Sequence, residues 1–313
     1  MPRAAHPVHP PLSELMALEA AVGGLSFVAG PPLGSVLAGQ HGSRLRGRGL
    51  DFAELRRYVP GDDLRQLDPR ASLRYGKPYL RAYTEERDRP AMIVVDQRMS
   101  MYFGSVRAFK CAVAARLAAL AAWTAYRGGD RVGGLVFDDD GVRAFKPLRS
   151  RDRVQALLAE VARANASLSA ARPERQAAAG LNAALRGALA HAPHDCLVCI
   201  VSDFAGADAD TLRALRLLAR HNDVVAMLVF DPMAQDLPRR GRLVVTQGEL
   251  QLEIAVGRQR ERQPLADFFS GRLREVADLL RRSRVPLLSI DTAEDEVVQL
   301  RRALGRLQSG GRR

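Results

Sequence analysis

From Ala91 onward the chain alternates short apolar runs with helix-length amphipathic stretches, and this alternation restricts the fold more than any other property. The runs Met92-Ile93-Val94-Val95 and Leu197-Val198-Cys199-Ile200-Val201 are apolar without a break, as strands are when both of their faces are covered. Strands are expected at 91–96, 131–137, 142–146, 196–202, 224–230 and 286–290. Helices are expected at 106–127, 151–163, 178–190, 208–221, 264–283 and 294–308. Strands separated by helices of this length give an α/β fold with a doubly wound, mostly parallel, Rossmann-like sheet. Residues 242–256 (RLVVTQGELQLEIAV) alternate about Gln247-Gly248, which predicts a small β-hairpin insert.

The first 90 residues read differently. Residues 12–28 suggest an amphipathic helix with Ser13 as N-cap, and GPPLG then breaks it. An extended arm follows, rich in Arg and Asp, with closely spaced Arg56, Arg57, Asp62, Asp63, Arg65 and Asp68 and no obvious core of its own. Pro60-Gly61-Asp62-Asp63 and Gly76-Lys77-Pro78 are turn signals, and 79–86 alternates as a strand does. The expected division is a helix and arm at 1–90, packed on or beside a core domain at 91–313. The whole chain of 313 residues has room for that arrangement.

Charge and cysteine content narrow the function. The net charge of +12 invites a nucleic-acid reading, but aromatics are only 5% and no base-stacking or zinc-finger pattern accompanies them. Three cysteines form no disulfide framework. Cys196 and Cys199 are three apart on an expected strand, so they point to opposite faces and are poorly placed to share a metal or a disulfide. The N-terminus lacks a signal-peptide pattern. Residues 20–43 carry no Asp, Glu, Lys or Arg, yet Pro31-Pro32 and several glycines interrupt what would need to be about 20 apolar residues to span a membrane.

Catalytic patterns are absent from the sequence. There is no G-x-S-x-G elbow, and none of the six histidines follows a strand near a Ser or Cys. Asp138-Asp139-Asp140 precede Gly141 and read as a hairpin turn, not as a calcium loop. The notable carboxylate is Asp96. It closes the first α/β strand, where open parallel sheets bind ligands.

The arm and this strand together resemble the family catalogued as domain of unknown function 58. Its members join an arm of the form GRG-x-(E/D)F … Y-x-PGDD-x-R-x-(I/L)D to a von Willebrand factor A-like domain. The matching residues are Gly47-Arg48-Gly49, Asp51-Phe52, Tyr58, Pro60-Gly61-Asp62-Asp63, Arg65 and Asp68. Many relatives carry Trp after the final Asp, where this chain has Pro69.

The resemblance implies a divalent-cation site built from Asp-x-Ser-x-Ser, a Thr on a second loop and a later Asp. This chain reads Asp96-Gln97-Arg98-Met99-Ser100, with Asp203 as the later Asp. Ala178, Ala179 and Gly180 stand where the Thr is expected, and Ser167 and Ser169 lie further back. The site is therefore expected to be degenerate, with no cofactor and no metal beyond a weak Mg²⁺ site. Arg98 either pairs with Asp96 and Asp203 or faces an acidic partner.

Arg98, Asp62, Asp63 and Arg65 are the partner-binding candidates. The resemblance further implies a non-enzymatic interaction protein, working with a MoxR-type AAA+ ATPase in the cytoplasm or peripherally at the inner face of the membrane. A basic nucleic-acid-binding protein and a metal-dependent hydrolase are the competing readings.

Overall fold

The computed structural model describes residues 8–27, 50–59, 67–85, 89–171, 177–234, 242–247, 250–255, 271 and 273–310. It divides the chain into a unit of Met1–Pro32 with Arg89–Arg313, and a smaller unit of Leu33–Asp88. In this division the N-terminal helix falls in the larger unit and not with the arm.

That first helix is shorter than its periodicity suggests. Helix α1 (Leu12–Ala17) passes into a 3-10 turn at Leu18–Val22, and its N-cap is Pro11, not Ser13. Its position is fixed by packing. Leu15 is fully buried, and its carbonyl accepts the Trp123 indole N–H at 3.1 Å.

The smaller unit is not a bare extended arm. Strand β1 (Leu50–Arg57) pairs antiparallel with β2 (Tyr79–Glu85), and helix α2 (Pro69–Tyr75) lies between them in sequence. Pro69, the departure from the family pattern, occupies the first turn of α2, where a missing N–H costs nothing. Asp68 caps the helix by accepting the Ala71 N–H at 2.9 Å, and Gly76 ends it in the left-handed conformation at φ 66°.

The large domain is the expected doubly wound sheet. Its strands are β3 (Pro90–Asp96), β4 (Arg131–Asp138), β5 (Gly141–Leu148), β6 (Leu197–Ser202), β7 (Asp223–Phe230) and β10 (Leu287–Asp291). The order is β10-β7-β6-β3-β4-β5, parallel throughout except for the edge strand β5. The hairpin insert is also present, as β8 (Arg242–Gln247) and β9 (Leu250–Ala255).

The connecting helices are α3 (Lys110–Arg127), α4 (Arg151–Ala166), α5 (Ala177–His191), α6 (Ala209–His221), α7 (residues 273–283) and α8 (Glu296–Gly310). Alternate strand residues enter two cores. Ile93, Val95, Cys199 and Val201 pack on the α3, α4 and α8 side, while Met92, Val94, Val198 and Ile200 pack on the α5, α6 and α7 side. Covering both faces explains the unbroken apolar runs, and each fully buried branched side chain contributes about 1.5–3 kcal/mol. Cys196 and Cys199 fall in opposite cores as free thiols, and burial pushes the Cys199 thiol up to about 12.

Helix α3 starts at Lys110, four residues later than expected. Residues 99–109 instead form a loop across the sheet edge, beginning with a 3-10 turn at Met99–Met101. Among the described residues no helix is long and apolar enough to cross a membrane.

Candidate functional site

After β3 the chain builds outward through β4 and β5, then returns to build the other way through β6, β7 and β10. The crevice at the C-terminal ends of β3 and β6 is therefore the topological switch point, where open α/β sheets hold ligands. Asp96 ends β3 and Asp203 directly follows β6, so the two acids singled out in sequence meet at this point.

The crevice is occupied by the chain's own cation. Asp96 is fully buried and Arg98 is 1% exposed. The guanidinium grips Asp96 in a fork, Nε to Oδ1 at 2.9 Å and Nη2 to Oδ2 at 2.6 Å. Asp96 Oδ1 also accepts the Arg98 backbone N–H at 3.0 Å, and Oδ2 accepts the Ser202 hydroxyl at 2.6 Å. On its far side Arg98 donates through Nη1 to the Ala205 carbonyl at 3.2 Å and approaches Asp203 Oδ1 to 3.8 Å. Its Cζ lies over the Phe137 ring, 5.2 Å from the ring centre. Burial is the largest single influence and would lower the arginine's pKa, but the charge of Asp96, its hydrogen bonds and the charges of Asp203 and Asp139 together outweigh it, so the net shift is upward.

Asp203 has a second cation. Lys110, at the start of α3, donates to Oδ2 at 2.6 Å, while Ser100 Oγ and the Ala205 N–H reach Oδ1 at 3.3 and 2.9 Å. Burial pushes the Asp203 carboxyl up, yet Lys110 and then Arg98 hold it below the usual carboxylate range. Two carboxylates and two cations thus neutralise each other in one partly closed crevice.

The second loop contributes shape instead of a ligand. A Cβ on Gly180 would stand 3.1 Å from Arg98 Cδ, so the residue at the expected hydroxyl position leaves room for the arginine stem. Ser167 does not replace the missing hydroxyl, because it turns back to the Ala164 carbonyl at 2.7 Å, and Ser169 is exposed. Ala178 and Ala179 lie in the first turn of α5, and their side chains lie outside the described residues.

The loop from β3 to α3 is pinned along its length. The Met99 N–H donates to Asp139 Oδ2 at 2.8 Å, which brings one acid of the β4–β5 turn to the site. Asp138 instead organises that turn, accepting from the Asp140 and Gly141 N–H groups. Further along, Ser105 donates its N–H at 2.8 Å and its hydroxyl to Asp231, at the end of β7. Arg107 pairs with Glu296 and donates to the Glu294 carbonyl at 3.0 Å. Between these anchors Val106 is 72% exposed.

Sequence reasoning located Asp96, Arg98, Ser100 and Asp203, and the fold brings all four together. It missed Ser202, Lys110, Asp139 and Phe137. Of these only Ser202 and Lys110 carried a local signal, Ser202 as the neighbour of Asp203 and Lys110 as one of only three lysines. Arg98 as a partner-facing residue is corrected, since its guanidinium is turned inward onto Asp96 and the Ala205 carbonyl and almost none of it meets solvent. Asp62, Asp63 and Arg65 lie outside the described residues. Among the described residues no group of three or more His, Cys, Asp or Glu side chains is arranged to hold a metal ion.

Comparison with known proteins agrees on a family without a stated function. An uncharacterised protein of Mycobacterium tuberculosis is 28% identical over 306 residues, covering 94% of this chain and 90% of its own. A counterpart in Mycobacterium bovis matches to the same extent. Among solved structures, a conserved hypothetical protein BatB from Bacteroides thetaiotaomicron aligns with TM-score 0.42 at 14% identity, over 71% of this chain and 99% of its own. An aerotolerance-related membrane protein from Bacteroides fragilis aligns with TM-score 0.41 at 14% identity, over 70% and 99%. The family described as protein of unknown function DUF58 matches residues 54–271, well over half of the chain, and the chain belongs to that family.

Proposed function

We propose that this protein is a non-enzymatic protein-interaction module with a von Willebrand factor A-like domain, in which a built-in guanidinium replaces the divalent cation of a metal-ion-dependent adhesion site. The observation that carries this reading is the fork between Arg98 and Asp96 at the switch point. A hard divalent cation needs free carboxylate and hydroxyl oxygens. Here the Asp96 oxygens already accept four hydrogen bonds, and Gly180 offers no hydroxyl. The residues present do not fit a bound metal.

In this reading the partner meets a preformed surface instead of completing a metal's coordination. Val106, exposed on a loop held by Ser105 and Arg107, is the apolar contact offered there. The partner class proposed is a MoxR-type AAA+ ATPase, supported by the family resemblance. Calorimetry with Mg²⁺ is expected to show no stoichiometric binding; micromolar 1:1 binding that vanishes in Asp96→Ala would overturn the metal-free reading. A tagged full-length chain is expected to retain an AAA+ ATPase from extracts of its own cells, and Val106→Glu to release it. Retention unaffected by Val106→Glu would remove this edge from the interface.

A further inference from the structure

The two ends of the large sheet carry opposite charge. At the C-terminal edge, the loops 96–109, 138–140, 167–171, 203–208, 231–234 and 291–295 hold ten carboxylates (Asp96 to Asp295) against Arg98, Arg107 and, at the start of α3, Lys110. At the N-terminal edge the balance reverses. Residue 89 and the segments 127–131, 149–152, 192–196, 220–223 and 281–286 hold nine arginines against four aspartates.

Some of these arginines are engaged. Arg89 pairs with Asp223, Arg127 and Arg151 with Glu19, and Arg281 with Asp278. Arg220, Arg282 and Arg284 are exposed and have no ion pair among the described residues. Arg216 stands beside them, donating to the Arg282 carbonyl at 3.0 Å. Helix α6 therefore presents Arg213, Arg216, Leu217 and Arg220 on one outer stripe, with Leu217 53% exposed. Leu148, 47% exposed, sits on the same edge next to Arg149.

We propose that the N-terminal edge of the sheet, centred on Arg216, Arg220, Arg282 and Arg284, adsorbs to an anionic lipid surface. The charge spreads across the loops of an entire sheet edge, which suits a plane more than a groove. The exposed large hydrophobics within it are aliphatic, not the aromatic platforms that stack bases. The carboxylate-rich opposite edge is repelled by the same surface, so adsorption orients the molecule with the Arg98 crevice and Val106 facing away from the lipid. No part of α6 has to insert, because Leu212, Leu215 and Leu218 stay in the core.

The test is co-sedimentation of the full chain with phosphatidylcholine vesicles that contain or lack phosphatidylglycerol. Wild type is expected on the phosphatidylglycerol vesicles only, and to leave them at high salt. With about 1 kcal/mol per basic residue near a charged surface, the triple variant Arg220→Gln, Arg282→Gln, Arg284→Gln should partition about 100-fold less. A control of equal charge change, Arg143→Gln, Arg301→Gln, Arg302→Gln, should stay near wild type. Unchanged melting temperatures in both triples exclude unfolding as the cause. Equal loss in the two triples would overturn the proposal by reducing it to net charge. Duplex DNA binding that the first triple abolishes, without partitioning onto phosphatidylglycerol, would overturn it in favour of a nucleic-acid surface.

Discussion

Two buried aspartates at the C-terminal edge of the sheet meet the same problem in different ways. Asp96 ends β3 and Asp231 follows β7; they are 0% and 3% exposed, and each accepts four hydrogen bonds. Asp96 receives three of its four from Arg98, two of them from the guanidinium. Asp231 receives all four from neutral groups: the Ser105 N–H and hydroxyl, the Thr292 hydroxyl and the Met233 N–H. Hydrogen-bond count is thus the same while charge compensation differs. The comparison teaches that the cation at Asp96 is not needed merely to satisfy lone pairs. It neutralises a crevice shared with a second carboxylate, Asp203, whereas Asp231 is satisfied by the Ser105, Met233 and Thr292 donors without a cation among them.

The sharpest break of this contrast is Arg98→Ala. It leaves Asp96 buried without a counter-charge, and truncating one partner of a buried pair costs about 3–5 kcal/mol. Denaturant unfolding should read that loss. Because the fork is to Asp96 and Asp203 keeps Lys110, adding Asp96→Asn should recover more stability than adding Asp203→Asn. Equal recovery would mean that the two acids share the guanidinium evenly, against the 2.6 and 3.8 Å distances.

Acid unfolding gives the next largest effect. The Asp203 carboxyl is held low in the folded protein, so its contribution is fully present above the unfolded value of about 4 and is lost as pH falls through the lower folded value. Lys110→Met removes the leading charge that holds it down. The variant should therefore already be less stable near neutrality, lose less stability from this group as pH falls below about 4, and reach its acid floor at a higher pH than wild type. An unmoved acid limb would show that Arg98 alone sets the Asp203 equilibrium.

A smaller loss is expected at the neutral site. Ser105→Ala removes one hydroxyl from Asp231 and leaves three donors, so it should cost about 1 kcal/mol. A loss matching that of Arg98→Ala would erase the distinction between the two aspartates.

The sequence shows some of this arrangement and hides the rest, for physical reasons. Asp96 and Asp203 were visible because each follows an apolar run that can only be a buried strand, and adjacent parallel strands bring their ends together. Ser202 as a donor to Asp96 was not visible. That contact joins residues 106 apart and depends on the pairing of Val95 with Val201. The late start of α3 was hidden likewise, because Ser105 and Arg107 are drawn to Asp231 and Glu296 on distant strands and helices. Helix α2 is a different case. Asp68-Pro69 is a cap followed by a first-turn proline, a local signal that a comparison with the family's usual Trp obscured. The orientation of Arg98 could not be read locally at all, since it depends on the space left by Gly180, which arrives from another loop.

That space yields the smallest and most discriminating effect. Gly180 lies within α5, and alanine there should gain up to about 1 kcal/mol of helix propensity. In the wild-type protein the new methyl would stand 3.1 Å from Arg98 Cδ, closer than ordinary contact, against a side chain fixed at both ends by hydrogen bonds. Strain and propensity then oppose each other, and Gly180→Ala should be neutral or slightly destabilising. In an Arg98→Ala background the obstacle is gone and the same substitution should stabilise. Four unfolding curves close the cycle, and a positive coupling of several tenths of a kcal/mol is the expected sign. Additivity would show that the arginine stem moves freely, and the crevice would then be a loosely filled space and not one shaped around its own guanidinium.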